Sequence, residues 1–277
     1  MMAATQPTQW NSAMTQQYKG TALITGASTG IGAIFAERLA RRGYDLVLVA
    51  RNRERLDALA SQLSRATQQS VEVFPADLAN AADLARVERK LREDASISLL
   101  VNNAGIGTHT GLLDSDVERM AEMISLNVTA LTRLTYAAVP GFVERKQGAV
   151  INISSVVSLA PELLNGVYGA SKAYVTAFTQ SLHKELAGEG IKVQAVLPGA
   201  TATDFWQIGG LPVENLDPGI VMSAADLVDG ALQDFDQGVL ISIPSMHDLN
   251  PYQAYEANRQ ALLGTLSNSQ LAPRYNR

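Results

Sequence analysis

The stretch Thr25-Gly26-Ala27-Ser28-Thr29-Gly30-Ile31-Gly32 decides the fold of this 277-residue chain. It follows the apolar run 21–25 and leads into a segment with apolar residues at helical spacing, which are Ile31, Ile34, Phe35 and Leu39. Glycines allow a tight turn and a close approach to a pyrophosphate, and the next helix offers free N–H groups to it. Glycines also serve plain turns, but the position between strand and helix favours a dinucleotide-binding unit.

Short apolar runs alternate with helical patterns along the rest of the chain. Their near-continuous apolar character is typical of strands that are covered on both faces. Strands are predicted at 21–25, 46–50, 71–74, 97–101, 149–154, 193–197 and 239–243. This alternation predicts an α/β protein with a Rossmann-like, doubly wound, seven-stranded parallel sheet and helices on both faces, in a single domain.

The predicted organisation has three parts. Residues 1–18 are polar, lack the basic start and apolar stretch of a signal peptide, and are expected to form a disordered arm. The catalytic domain is expected over 19–250, with a Gly- and Pro-rich substrate loop at about 200–222 that carries bulky apolar residues. Residues 251–277 form a tail, expected to pack on the core or on a neighbouring subunit.

Composition argues against several classes of function. The net charge is −5, whereas a nucleic-acid-binding domain is strongly basic, and no apolar run is long enough to span a membrane. There is no cysteine, and the histidines His109, His183 and His247 are not at metal-binding spacing. We therefore expect a cytoplasmic protein with no metal and with neither nucleic acid nor membrane as a partner.

Tyr168 and Lys172 form a Tyr-x-x-x-Lys pair on a predicted helix. Residues four apart lie one turn apart on the same face, so the two side chains are neighbours. A free tyrosine has a pKa of about 10, and a nearby ammonium lowers it towards the range useful for proton transfer. Ser155 lies thirteen residues upstream, just after the fifth strand, and Asn127 lies in the preceding helix.

The Gly-x-x-x-Gly-x-Gly spacing, together with Asn127, Ser155, Tyr168 and Lys172 in this order, resembles the single-domain branch of the short-chain dehydrogenase/reductase family. The resemblance covers about residues 19–244 and implies that these four residues are catalytic. Tyr168 would be the general acid/base, and Ser155 would hold the substrate oxygen. Lys172 would bind the ribose and lower the pKa of Tyr168, while Asn127 would bend its helix and hold a water. The neighbouring Ser154 is the competing assignment, which the spacing to Tyr168 disfavours.

The resemblance also implies a set of cofactor-binding residues. Asp77 and Leu78 would contact the adenine, 103–105 would line the adenosine side, and the turn at 198–203 would meet the carboxamide and diphosphate. The full predicted set is Gly26, Ser28, Thr29, Gly30, Ile31, Gly32, Arg51, Asp77, Leu78, Asn103, Ala104, Gly105, Tyr168, Lys172, Pro198, Gly199, Thr201 and Thr203.

The end of the second strand favours NADP(H) over NAD(H). An NAD site places an acidic residue there, whereas this chain has Ala50 followed by Arg51. A guanidinium can hold a 2′-phosphate with two parallel hydrogen bonds. The alternative is that Arg51 and Arg53 are only a solvated charge cluster, since Thr29 is not the basic residue that some NADP-binding relatives carry.

The chain is thus expected to resemble NADP(H)-dependent carbonyl reductases and to transfer hydride between NADP(H) and a carbonyl or secondary alcohol substrate. An apolar substrate is favoured by Val156, Val157, Leu159, Leu163, Leu164, Phe205, Trp206 and Leu211. The family implies a homodimer or homotetramer through the helices that carry Asn127 and Tyr168. Two alternatives remain: an NAD-linked alcohol dehydrogenase and a non-catalytic dinucleotide-binding regulator. A serine hydrolase is disfavoured because no Gly-x-Ser-x-Gly surrounds Ser155.

Overall fold

A computed structural model describes residues 19–275, so the arm predicted at 1–18 lies outside the described residues. Seven strands form one parallel sheet: β1 (Thr21–Thr25), β2 (Asp45–Ala50), β3 (Val71–Pro75), β4 (Ile97–Asn102), β5 (Gly148–Ile153), β6 (Ile191–Val196) and β9 (Ile241–Ser242). Their order is β3-β2-β1-β4-β5-β6-β9. The predicted doubly wound sheet is therefore confirmed.

The helices are α1 (Gly30–Arg41), α2 (Arg53–Thr67), α3 (Ala81–Glu93), α4 (Val117–Ile124), α5 (Leu131–Glu144), α6 (Gly166–Glu185), α7 (Phe205–Ile208), α8 (Ala224–Gln237) and α9 (Asn250–Ala261). A π-helical segment at Ser125–Ala130 joins α4 to α5. Within residues 19–275, no helix is both long and apolar enough to cross a membrane.

The core lies on both faces of the sheet. All five residues of β1 are buried, and they alternate between the two layers because successive side chains of a strand point to opposite faces. Ala22 and Ile24 pack with α1, α2 and α8, while Leu23 packs with α3, α5 and α6. Continuous apolar strands are thus explained by two covered faces.

The chain runs from β1 outward to β3 and then crosses back to β4, which lies on the other side of β1. Ligands in open α/β sheets bind at such a reversal, outside the carboxyl ends of the strands. The segment predicted as a loop at 200–222 lies at this edge. It contains α7, and two short strands, β7 (Thr201–Ala202) and β8 (Met222–Ser223), pair at its base. We call residues 203–221 the substrate loop.

Candidate active site

A cleft of about 710 Å³ lies at the carboxyl ends of the strands. Loops after β1 to β6 line it, so that residues far apart in the sequence share one cavity. Every predicted cofactor-binding and catalytic residue lines this cleft except Gly32 and Asn127. The topology therefore brings together most of the set that was selected from the sequence.

The glycine-rich turn leaves the beginning of α1 open. The residue before the helix, Thr29, makes no side-chain hydrogen bond to the helix, and the first turn carries no acidic residue. Gly26 and Gly30 have φ angles of +65° and +55°, which favour glycine. A Cβ at Gly30 would lie 3.1 Å from Thr203 Cγ2, on the opposite side of the turn. Free N–H groups and missing side chains at this point fit the diphosphate of a dinucleotide.

Gly32 lies behind the turn and does not line the cleft, and its assignment as a cofactor contact stays a prediction. A Cβ at this position would lie 2.4 Å from the Gly26 carbonyl oxygen and 2.5 Å from Asn103 Nδ2. The glycine is needed because α1 packs directly against the backbone of the turn. Its part in the site is to let helix and strand approach each other.

Asn103 braces the end of β4 against the end of β1. Its Nδ2 donates to the carbonyl oxygens of Thr25 (2.9 Å) and Gly26 (3.2 Å). In return, the Thr25 hydroxyl accepts from the backbone N–H groups of Asn103 (2.9 Å) and Ala104 (3.0 Å). These bonds fix the two strand ends on either side of the reversal.

Arg51 lies exposed at the end of β2 and lines the cleft, whereas Arg53 does not. Two residues that the sequence argument did not select, Asn52 and Arg55, line the same wall. The signal that could have found them is the spacing, because positions 52 and 55 lie on one face at the beginning of a helix. Ala50 leaves no carboxylate at the strand end.

Ser155, Tyr168 and Lys172 meet at the inner part of the cleft. Each is nearly buried, with 6–7% of its surface exposed. Lys172 Nζ lies 5.8 Å from the centre of the Tyr168 ring and donates to the carbonyl oxygen of Ile153, at the end of β5, over 2.9 Å. Strand β5 and helix α6 therefore hold the three polar groups together.

Burial dominates the ionisation of this group. It raises the pKa of Tyr168 to about 12, against a smaller lowering by the hydrogen bond with Ser155. It also lowers the pKa of Lys172 to about 8, because an ammonium is disfavoured away from water. The direction for Tyr168 is opposite to the lowering predicted from Lys172, since desolvation outweighs the effect of neighbouring groups.

Asn127 does not line the cleft but lies directly behind it in the π-helical segment. Its Oδ1 accepts from the backbone N–H of Ile106 (2.9 Å), and its Nδ2 donates to the Ile106 carbonyl (2.8 Å) and to Ser171 Oγ (3.1 Å). A Cβ at Gly105 would lie 3.1 Å from Asn127 Oδ1 and 3.5 Å from Lys172 Nζ. Asn127 thus joins the loop after β4 to α6, beside the lysine.

Ser154 and Ser155 have different surroundings. The Ser154 hydroxyl donates to the Lys172 carbonyl (2.7 Å) and contacts Thr176 Oγ1 (2.8 Å), so it anchors β5 to α6. The Ser155 hydroxyl interacts with Tyr168 and lies 3.4 Å from the Pro198 carbonyl oxygen. Of the two serines, Ser155 is the one beside the phenol.

The turn after β6 connects the site to the substrate loop. Val156 N–H donates to the Pro198 carbonyl (3.0 Å), and Thr201 Oγ1 donates to the Gly199 carbonyl (3.1 Å). The Trp206 indole N–H then donates to the Thr201 carbonyl over 2.9 Å. The substrate loop is therefore held by hydrogen bonds to the turn after β6, which in turn is bonded to the segment after β5.

The end of the cleft next to Tyr168 is apolar. The centres of the Phe205 and Tyr168 rings are 5.7 Å apart. Seven of the eight predicted apolar residues line the cleft. Leu159 is the exception and packs, partly buried, on the cluster that contains Leu197 and Ile243. The substrate loop adds three apolar residues that are not among these eight: Ile208, Leu216 and Ile220.

Across residues 19–275, no three His, Asp or Glu side chains are grouped as metal ligands would be.

Comparison with known proteins agrees with this geometry. The family model described as short chain dehydrogenase matches residues 20–208, and the chain belongs to that family. A short-chain dehydrogenase from Sphingobium yanoikuyae, solved in complex with NADPH, is 49% identical with a TM-score of 0.90, over 93% of this chain and all of that one. The bulky-bulky ketone specific alcohol dehydrogenase from Comamonas testosteroni is 43% identical with a TM-score of 0.86, over 93% of this chain and 99% of that one.

A human relative carries a name that bears on catalysis. Inactive hydroxysteroid dehydrogenase-like protein 1 is 32% identical over 194 residues, which cover 69% of this chain. The matched region spans only 58% of the length of that relative. Membership of the family therefore defines an oxidoreductase fold and site, and activity has to be argued from the residues of this chain.

Proposed function

We propose that this protein is an NADP(H)-dependent reductase that interconverts a carbonyl compound and its alcohol, with Tyr168 as the general acid/base. The observation that carries the proposal is the buried meeting of Ser155, Tyr168 and Lys172 in a cleft whose far end fits a dinucleotide. When bound, the nicotinamide supplies the hydride for the carbonyl carbon.

The residues of the chain would supply the proton and the orientation. The Tyr168 hydroxyl would give its proton to the carbonyl oxygen, and Ser155 would hold that oxygen by a hydrogen bond. Burial raises the pKa of Tyr168 to about 12, so the phenol is protonated at neutral pH and can act as the proton donor. Lys172 would hold the ribose, while Asn127 would act behind it as a positioning residue.

The preference for NADP(H) rests on the wall after β2. Arg51 lines the cleft, and position 50 carries no carboxylate. The guanidinium can bind a 2′-phosphate, whereas a carboxylate would repel it. The neighbour from Sphingobium yanoikuyae was solved with NADPH, which supports the same preference here.

The substrate side is expected to take a bulky, apolar carbonyl compound. The apolar residues beside Tyr168 come from two separate segments, Val156–Leu164 and the substrate loop, and together form an extended apolar wall. The ketone specificity in the name of the relative from Comamonas testosteroni points to the same class.

The test is NADPH oxidation by the purified protein across paired ketones of equal reactivity. We expect bulky apolar ketones to be reduced with higher kcat/KM than small hydrophilic ones, and NADPH to be preferred to NADH. A higher kcat/KM with NADH would favour an NAD-linked enzyme, and equal values would contradict the proposed preference for NADPH. Tight NADPH binding without turnover of any carbonyl would favour a non-catalytic regulator, the alternative to which the name of the human relative points.

Assembly and location remain part of the proposal. A homodimer or homotetramer through α5 and α6 is supported by an exposed aromatic cluster on these helices, in which Phe178 stacks against Tyr136 and Tyr174. The side chain of Tyr136 is 68% exposed within the single chain. A cytoplasmic location is also proposed, with which the cysteine-free sequence is compatible, and cell fractionation would test it.

A further inference from the structure

Arg55 and Asp204 face each other at the rim of the cleft. Arg55 lies in the first turn of α2, and Asp204 lies in the substrate loop directly before α7. Arg55 Nη1 and Asp204 Oδ2 are 3.6 Å apart, and the two side chains are 57% and 62% exposed. Both residues line the cleft.

The beginning of α2 directs Arg55 to the wall that also carries Arg51. Asn52 Oδ1 accepts from the Arg55 backbone N–H over 2.9 Å, which fixes the first turn of the helix. Asn52 and Arg55, three positions apart, line the cleft, whereas Arg53 does not. Two guanidinium groups are therefore available at the end of β2.

The pair between Arg55 and Asp204 leaves the guanidinium free to change partner. A distance of 3.6 Å is longer than a hydrogen bond, and an exposed ion pair is weak. A phosphate monoester carries nearly two negative charges and can accept two parallel hydrogen bonds from one arginine.

We propose that Arg55 is a second residue for the adenosine 2′-phosphate, acting beside Arg51, and that Asp204 is its counter-ion in the cofactor-free protein. Binding of a 2′-phosphorylated nucleotide then separates Arg55 from Asp204 and releases one attachment of the substrate loop. The inference rests on the proposed preference for NADP(H). It names a specificity-determining residue that the sequence motif does not contain.

The test compares binding of 2′,5′-ADP and 5′-AMP by isothermal titration calorimetry, which requires no turnover. Arg55→Gln is expected to weaken 2′,5′-ADP binding by about tenfold or more while 5′-AMP binding stays within about twofold. Arg53→Gln is the matched control, since it removes an exposed arginine of the same turn from outside the cleft. Thermal melting of each variant checks that it is folded.

Asp204→Asn tests the counter-ion. It is expected to tighten 2′,5′-ADP binding by about two- to fivefold, the range of an exposed ion pair, and to have no such effect when combined with Arg55→Gln. Wild-type protein that binds both nucleotides equally would contradict the proposed cofactor preference and this inference with it. If the wild type prefers 2′,5′-ADP and Arg55→Gln keeps that preference, only the role of Arg55 is wrong. An unchanged affinity in Asp204→Asn would overturn the role of Asp204.

Discussion

Replacing Gly32 by alanine is the sharpest structural perturbation of the glycine-rich turn. The added Cβ would lie 2.4 Å from the Gly26 carbonyl oxygen, and real Cβ atoms do not come closer than 3.0 Å to such neighbours. Helix and turn must therefore separate by about 0.6 Å or more, because the Gly26 carbonyl group is backbone that cannot rotate away. The Asn103 side-chain amide, 2.5 Å from the added Cβ, would also have to move.

Two opposing terms set the expected change in stability. Overpacking of this kind costs about 1–3 kcal/mol, whereas exchanging glycine for alanine within a helix gains about 1 kcal/mol. The free energy of unfolding should fall by about 0–2 kcal/mol. The effect on the cofactor is larger, because displacing a binding turn by a fraction of an ångström costs about 10- to 100-fold in a positioned interaction.

The assay combines urea unfolding with titration of NADPH by fluorescence. Gly141→Ala, within α5, is the matched control, since its Cβ would meet only the flexible Arg145 guanidinium, at 3.0 Å. We expect the control to bind NADPH like the wild type and to be at least as stable. If Gly32→Ala also binds NADPH like the wild type and unfolds at the same urea concentration, the close packing of α1 on the turn is not what the cofactor site requires.

Three further predictions concern Arg51, the ionisation of Lys172 and the proposed assembly through α5 and α6. Arg51→Ala should weaken NADPH binding by about tenfold or more and leave NADH binding unchanged, and equal losses for both cofactors would contradict the role of Arg51. Lys172 has a pKa lowered to about 8 from 10.5, so the unfolded chain binds the extra proton between these values and native stability rises with pH across that window. Lys172→Met should remove this rise, worth up to about 3 kcal/mol, in urea unfolding at pH 7.5 and 10, and an identical pH dependence in both proteins would refute it. Tyr136→Lys should lower the mass measured by sedimentation, whereas Leu112→Lys, at an exposed position outside α5, α6 and the tail, should not, and a monomeric wild type would exclude the proposed assembly.

Much of the fold could be predicted from the sequence because the strands of a sheet covered on both faces are continuous apolar runs. The run 21–25 coincides with β1, and the other six predicted strands overlap observed ones. The glycine-rich turn was also predictable, since its place between β1 and α1 gives the motif its meaning.

The parts that could not be predicted depend on packing between distant segments. Gly32 belongs to the motif, yet only the approach of α1 to the turn reveals that it is a packing residue. Leu159 has the same apolar character as its neighbours in the cleft, and only the fold shows that it packs outside the cleft instead. The contact of Arg55 with Asp204 joins residues 149 positions apart, which no local pattern indicates.

The pKa of Tyr168 is a further property that the sequence alone does not indicate. A lysine one turn away in the sequence predicts a lowered pKa for Tyr168, but the local pattern does not indicate how deeply the ring is buried. In the structure the ring is 6% exposed and its pKa is raised to about 12. The residues of the site were therefore accessible to sequence reasoning, whereas the balance of forces on them required the surrounding atoms.

Tyr168 is proposed to give the proton in carbonyl reduction, and single-turnover reduction of a bulky ketone by the Tyr168→Phe variant tests this role. Tyr174→Phe on the same helix is the matched control, because its hydroxyl contacts Thr132 (2.8 Å) and does not line the cleft. We predict that Tyr168→Phe binds NADPH within about threefold of the wild type and reduces the ketone about 100-fold or more slowly, while Tyr174→Phe retains the wild-type rate. A Tyr168→Phe variant that binds NADPH and reduces the ketone at the wild-type rate would contradict the account.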